Sequence, residues 1–415
     1  MSKPIAANRF TDLGMERDDL ESFLAESGYW GSAQAKERYR YVLSPSAYVL
    51  TTSQKHDLER LAVSTHNAVQ TLNARLCGIA ARVSPDSHED ALLLRLGNVA
   101  TRGLLKPSAG EYAIPPVIKV DLVQDPDGRF FIAEVDTYNP RGLGFVALLE
   151  ESLSLGNGSS YGRFPGVRGV VELMQRDAVD SEWHLLVTEY ERFYQTPFQI
   201  FANTLRKRFG ITVHMLREED VASGRAVVPE GARLIVIPDS LNQHPEVRDT
   251  LVARERRGEL KTLFPPVAYL GSKAFLPFLR SCEGMEEFIP KSALVGKKCK
   301  AAESTIDLAK PSVLKATVSS GMKQVIFSDM DEGFELALAQ ARTLRNPSWI
   351  LQEQVPQKSE PVVVFDEDGQ RTLGHYYLRV TAYVAQDGIV DVEVTGRPDR
   401  KVHGAPDCIM VPVIF

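Results

Sequence analysis

The chain has 415 residues with 48 basic and 54 acidic side chains, a formal net charge of −6. Hydrophobic residues make up 44% and charged residues 25%, enough apolar surface to build packed cores, which excludes a disordered chain. The acidic balance excludes a surface built for nucleic acid, and at roughly 150 residues per domain the length suggests two to three domains.

Cys77, Cys282, Cys299 and Cys408 form no CxxC pair and no zinc spacing with the eight histidines. They fit a reduced, intracellular protein. The opening segment lacks the apolar core of a signal peptide, and no apolar run reaches the ~18 residues of a membrane span. The expectation is a cytoplasmic chain with neither nucleic acid nor membrane as partner.

Residues 12–105 read as mostly helical, with Leu58, Leu61, Val69, Leu72 and Leu76 near one helical face. Residues 117–136 change to strand–turn–strand around Asp125-Pro-Asp-Gly128, strong turn chemistry. The tract at 155–162 (LGNGSSYG) reads as a flexible crossing. From 183 the pattern alternates strand, helix (197–209), strand, strand, helix (245–257), which predicts a small α/β unit over 181–270. After 311 the chain is strand-rich, interrupted by a helix over 331–345.

The hairpin carries the most information. With Asp125 and Gly128 closing the turn, Ile118, Val120 and Leu122 share a face with Phe131, Ala133 and Val135. Lys119, Asp121, Glu134 and Asp136 take the other face. Asp121 is then a diagonal neighbour of Glu134, roughly 7–8 Å away, close enough for both carboxylates to reach one cation. A hard ion such as Mg²⁺ suits one or two carboxylates plus a nucleotide phosphate. The plainer alternative is the solvated face of an amphipathic hairpin. Gly142, Gly144 and Ala147 mimic a dinucleotide GxGxxA, but Thr137-Tyr-Asn-Pro-Arg141 intervenes after the strand. Positioning a loop beside the carboxylates explains these glycines better.

Lys315 interrupts an apolar strand, where an unpaired ammonium is costly, and the small loop Ser319-Ser-Gly-Met-Lys323 follows. Such a loop can lay N–H groups over phosphates, although GxxxxGK[ST] is absent. An exposed edge-strand lysine and an ordinary turn are the alternative. Arg379 lies in another apolar strand, which suits a phosphate, a carboxylate or an internal salt bridge.

These segments together resemble the ATP-grasp superfamily, specifically its circularly permuted branch, like the synthetase portion of glutathionylspermidine synthetase. The metal segment reads KVD121 through E134VD136TYNPRG, with Asp136 where the family usually has Asn. The resemblance implies an α+β and α/β architecture: an ATP-grasp fold in permuted order with a helical N-terminal region and a small α/β pre-grasp-like domain. Its divisions would be 1–180 (helical region plus metal hairpin), 181–270 (small domain) and 271–415 (nucleotide-binding subdomains). It further implies that Asp121, Glu134 and Asp136 hold Mg²⁺, with Mn²⁺ as the alternative. Lys273 and Lys315 would be the two nucleotide lysines, and Ser319, Ser320 and Gly321 the phosphate flap. Gln352, Glu353 and Val355 would be the adenine hinge, Glu360 the ribose acid, and Arg379 the arginine facing the transferred phosphate.

The activity implied is ATP-dependent amide formation between a small-molecule carboxylate and an amine, through an acyl phosphate. Asn139 and Arg141, just past the metal segment, are candidates to meet the substrate carboxylate. In the basic loop 396–404, Arg397, Arg400 or His403 would clamp an acidic or amino-acid substrate, the alternative being a solvated charged loop. A polyamine-using ligase and a non-catalytic nucleotide-binding protein are the competing readings, and a homo-oligomer is left open.

Overall fold

The structure, a computed structural model, describes residues 9–28, 42–82, 84–100, 114–137, 142–176, 181–188, 194–235, 244–262, 268–318, 322, 324–366, 368–403 and 407–415. The long helix Thr52–Ala80 begins with a reciprocal cap. The Gln54 N–H donates to the Thr51 hydroxyl at 3.2 Å, and the Thr51 N–H donates to the Gln54 side chain at 3.0 Å. Leu58, Leu61, Val69, Leu72 and Leu76 are all buried on its inner face, each worth roughly 1.5–3 kcal/mol. The segment 12–105, read as mostly helical, holds three helices among its described residues and also contributes strands. Phe10–Asp12 pairs with Ser46–Val49, which is joined in parallel by Val413–Ile414 from the far end of the chain. Pairing across so long a separation leaves no local sequence pattern.

Among the described residues the strands form four sheets. The seven-stranded central sheet runs Val42–Leu43, Ile409–Val411, Gly388–Arg397, Arg371–Ala385, Ile118–Gln124, Phe130–Asp136, with Glu360–Phe365 also paired to Arg371–Ala385. Strand alternation sends Val380, Ala382 and Val394 to one face, in a core shared with the Thr52–Ala80 helix. It sends Tyr383 and Met410 to the other, against helices Leu143–Ser152 and Val167–Met174. A four-stranded antiparallel sheet (Ser292–Val295, Trp349–Glu353, Ser312–Ala316, Val325–Phe327) packs Val295, Leu314 and Leu351 against helix Phe334–Thr343. The alternating segment forms a parallel sheet ordered Thr212–Arg217, Glu182–Val187, Ala232–Ile235, Leu260–Thr262, with helices Gln195–Phe209 and Pro245–Arg256 among its connections.

Two expectations about glycine-rich segments change. The 155–162 tract is docked: it forms short 3₁₀ turns, and Gly162 exchanges two 2.9 Å backbone hydrogen bonds with Phe415. Gly142 and Gly144 serve packing, and the loop they were expected to place, 138–141, lies outside the described residues. A Cβ on Gly144 would lie 2.0 Å from the Pro197 carbonyl oxygen, and one on Gly142 would lie 1.7 Å from the Tyr383 hydroxyl. Their bare Cα atoms let helix Leu143–Ser152 approach helix Gln195–Phe209 and the central sheet. Among the described residues no helix is long and apolar enough to cross a membrane.

Candidate active site

The carboxylate hairpin has a different register from the one its turn suggests. Asp121 stands directly opposite Glu134, and Lys119 opposite Asp136, but Leu122 pairs with Ile132. Ala133 is therefore an extra residue, a β-bulge. Without it, strict alternation would turn Glu134 and Asp136 to the same face as Phe130 and Ile132, which are 3% and 0% exposed. The bulge rotates both carboxylates onto the face of Asp121. It also leaves the Ala133 carbonyl outside the ladder, where the Lys315 ammonium donates to it at 3.2 Å.

Asp121 is buried and held by three groups. Lys119 Nζ lies 2.9 Å away, the Thr381 hydroxyl donates to Oδ1 at 2.7 Å, and Arg379 stands at 3.7 Å. Burial pushes this carboxyl up, but Lys119, Arg379 and Thr381 together outweigh burial and hold it well below the usual carboxylate range. Burial likewise pulls the Lys119 amine down, and Asp121, with Asp136 and Glu134, more than restores it.

Two lysines reach this face from outside the central sheet. Lys273 opens a 3₁₀ turn fixed to the end of the Lys315 strand: its N–H and the Ser272 hydroxyl both donate to the Thr317 carbonyl, at 3.0 and 3.1 Å. From there its ammonium donates to Glu134 Oε1 at 2.6 Å. Lys315 donates to Gln352 Oε1 at 2.6 Å. Burial, with the neighbouring Lys273 cation, lowers the Lys315 amine from 10.5 to about 8. Lys273, Lys315, Glu134 and Asp121 thus converge from both sheets.

Other predicted residues are placed differently. The Glu353 and Gln354 N–H groups donate to the Lys291 and Pro311 carbonyls, leaving Val355 as the next backbone group beyond the ladder. Glu360 pairs opposite Tyr376, on the face opposite Asp121, and forms ion pairs with Arg9 at 3.2 Å and Lys358 at 3.5 Å. The basic loop is tied to the protein's own acids: Arg397 to Asp407, Arg400 to Asp329 and Lys401 to Asp331. Asn139, Arg141, Ser319, Ser320 and Gly321 lie outside the described residues. Among the described residues no three His, Cys, Asp or Glu side chains are grouped to hold a metal. A separate cavity of about 240 Å³ at the C-terminal ends of two parallel strands, lined by Val187, Gln195, Gln199, Arg217 and Glu219, contains none of the predicted residues.

The sequence reading missed Thr381, Tyr383, Glu393 and Thr395, which line the same face. Cross-strand pairing sets Glu393 opposite Thr381 and Thr395 opposite Arg379. The signal was strict alternation with Val380, Ala382, Val392 and Val394, which places one residue in two on the site face. Burial lifts the Glu393 carboxyl to about 7 against the pull of Arg379 and Lys119.

No protein-family model matches this chain, and no curated protein matches it. Among solved structures, a glutathione synthetase-like effector from Globodera pallida in its apo form is similar, with a TM-score of 0.56 and 11% sequence identity, over 97% of this chain and 98% of that one. At that identity the likeness bears on fold alone. The chain has a mixed α+β fold similar to that of this glutathione synthetase-like effector.

Proposed function

We propose that the chain is an ATP-dependent carboxylate–amine ligase that joins small amino-acid-type substrates through an amide bond, releasing ADP and phosphate. The observation that carries this reading is the convergence of Lys273 and Lys315 on the carboxylate face of the bulged hairpin. Phosphoryl transfer needs positioning and charge stabilisation more than a protein nucleophile.

In this reading Lys273 and Lys315 neutralise nucleotide phosphates, and Lys273 exchanges Glu134 for a phosphate oxygen. Lys315 carries the larger response, because an anion beside a desolvated amine favours its charged form. On the family pattern Asp121, Glu134 and Asp136 would hold Mg²⁺ or Mn²⁺; their oxygen donors suit a hard cation, but they are not grouped for one while Asp121 pairs with Lys119 and Glu134 with Lys273, so they would hold it only together with the nucleotide phosphates. Such an ion supplies charge neutralisation across the phosphate oxygens. Thr381 fixes the rotamer of Asp121, and Arg379 stands beside it to face the transferred phosphoryl group. A substrate carboxylate takes the γ-phosphoryl group, and the amine then displaces phosphate from the acyl phosphate. Arg141 and the 319–321 loop are assigned to the substrate carboxylate and the phosphates on the family pattern, and the permuted order is part of the same proposal.

The test is incubation of the purified chain with ATP, Mg²⁺ and a panel of amino acids and polyamines, followed by mass spectrometry of products and assay of ADP. A new amide with stoichiometric ADP supports the ligase. A second reading, a non-catalytic nucleotide-binding protein, is favoured by one observation: Lys119 and Lys273 already neutralise Asp121 and Glu134. Tight ATP binding without ADP from any pair would select that reading.

A further inference from the structure

Among the described residues, charged side chains bridge the four-stranded antiparallel sheet and its docked Lys273 turn to the central sheet in two places. In the first, Lys273 and Lys315 donate to Glu134 and to the Ala133 carbonyl on the strand Phe130–Asp136. In the second, the loop after the strand Gly388–Arg397 reaches the turn after Val325–Phe327. There Arg400 donates to Asp329 at 2.9 Å and Lys401 to Asp331 at 2.7 Å. The strand order places Arg371–Ala385 and Ile118–Gln124 between the bridged positions. Arg379, Thr381 and Asp121 therefore lie between the two bridges.

The bridges differ in strength. Lys273 and Lys315 are 4% and 8% exposed. In the second bridge the side chains are 21% and 34% exposed for Arg400–Asp329 and 25% and 26% for Lys401–Asp331. Ion pairs this exposed shift an equilibrium by only about two- to fivefold each, and they weaken as salt rises. Arg400 and Lys401 also stand over the Phe327 ring, at 5.7 and 6.0 Å from its centre, a contact that is again carried by charge.

Each half is built without the other. Arg397 binds Asp407 through two bonds at 2.7 and 2.8 Å and donates to the Lys401 carbonyl at 2.8 Å, while the Lys401 N–H donates to Asp399 at 2.8 Å. On the facing side, Asp331 accepts from the Phe327 N–H at 2.7 Å, and Asp329 accepts from the Gln354 side chain at 3.1 Å. Releasing the two pairs thus parts two preformed surfaces and unfolds neither. Burial pushes both carboxyls up, but Arg400 and Gln354 at Asp329, and Lys401 and the Phe327 N–H at Asp331, outweigh it, so both stay ionised at neutral pH.

We propose that Arg400 and Lys401 with Asp329 and Asp331 form a salt-sensitive clasp between the two sheets, which opens to admit and release the nucleotide. That the ligand is a nucleotide rests on the ligase reading; the clasp itself does not.

Two measurements keep these claims apart. The first is amide hydrogen exchange of segments 325–331 and 398–403 without ligand, at about 20 mM and about 500 mM salt. The clasp predicts exchange roughly fourfold or more faster in Arg400→Gln, Lys401→Gln than in wild type at low salt, and a wild type that approaches the variant at high salt. The second is stopped-flow binding of a fluorescent ATP analogue. The double variant should both bind and release it roughly four- to twentyfold faster, with Kd within about twofold. The charge swap Arg400→Asp, Asp329→Arg should restore slow exchange relative to Arg400→Asp alone. A weakened Kd without faster association would mean that these cations hold the phosphates directly, and it overturns the clasp. Unchanged hydrogen exchange, or a swap that restores nothing, overturns it as well. Salt- and charge-dependent hydrogen exchange in a chain that does not bind the analogue keeps the clasp and removes the nucleotide reading.

Discussion

Replacing Lys315 by methionine tests the electrostatic design of the site most directly. Lys315 is 8% exposed, and its amine titrates at about 8 instead of 10.5. Because the folded value lies below the unfolded one, the charged amine opposes folding below about pH 8. That burden is relieved as pH rises from about 8 to 10.5, where the unfolded chain binds the proton and the folded chain does not. At about 1.36 kcal/mol per pH unit, the rise amounts to on the order of 3 kcal/mol. Methionine keeps the volume and removes the titration, at the cost of leaving Gln352 Oε1 and the Ala133 carbonyl without their donor. Denaturant unfolding of both proteins at about pH 7 and about pH 10 should show wild type gaining roughly 2–3 kcal/mol on the variant. The same charge predicts that the variant binds ATP more weakly. It also predicts that wild type takes up protons on binding ATP above pH 8, seen by titration calorimetry in buffers of different ionisation enthalpy. Parallel pH profiles together with equal ATP affinity would refute the placement of this lysine as a buried, phosphate-facing cation.

Glu134→Gln keeps the shape of the hairpin but removes one carboxylate charge. Turnover should fall by roughly 10²-fold or more with an unchanged circular dichroism spectrum, and near-normal activity would remove Glu134 from the metal set. Gly144→Ala places a methyl group against the Pro197 carbonyl. It should cost about 1–3 kcal/mol, read as a lowered Tm, and an unshifted Tm would contradict the helix contact. The pairs Arg400–Asp329 and Lys401–Asp331, at 2.9 and 2.7 Å, tie the loop after the Glu393 strand to the turn after Val325–Phe327. Each is partly exposed and worth only about 0.2–1 kcal/mol. The double variant Asp329→Asn, Asp331→Asn should therefore leave Tm nearly unchanged but speed exchange of a fluorescent ATP analogue. The difference from wild type should shrink at high salt, and equal exchange rates at low salt would show that these pairs do not affect nucleotide release.

The basic loop shows what local sequence leaves out. Arg397, Arg400 and His403 look like a ligand clamp when only their neighbours along the chain are visible. Arg397 pairs with Asp407 nearby, but Arg400 and Lys401 pair with Asp329 and Asp331, about 70 residues earlier, in the turn after Val325–Phe327. Glu360 is similar: its spacing after the hinge fitted a ribose acid, but its pairing with Tyr376 turns it to the opposite face from Asp121. In both cases the deciding fact is a long-range contact, and long-range contacts leave no period in the sequence.

The chain by itself determined what short-range physics controls. The leucine period and Thr51 cap specify the Thr52–Ala80 helix, the alternating segment specifies the parallel α/β unit, and Asp125 to Gly128 specifies a hairpin bearing acids. Lys315 in an apolar strand already implied that its charge would need partners. Tertiary structure alone decided the rest. The Ala133 bulge set which carboxylates share a face, because a single inserted residue reverses the alternation and turn chemistry cannot reveal it. Pairing of Arg371–Ala385 with Gly388–Arg397 and Ile118–Gln124 then brought Thr381 beside Asp121 and Glu393 onto the next strand of the same face, across more than 250 residues of chain. Docking of the Lys273 turn onto Thr317 brought one cation to Glu134, and the sheet beside it aimed the other at the bulge carbonyl.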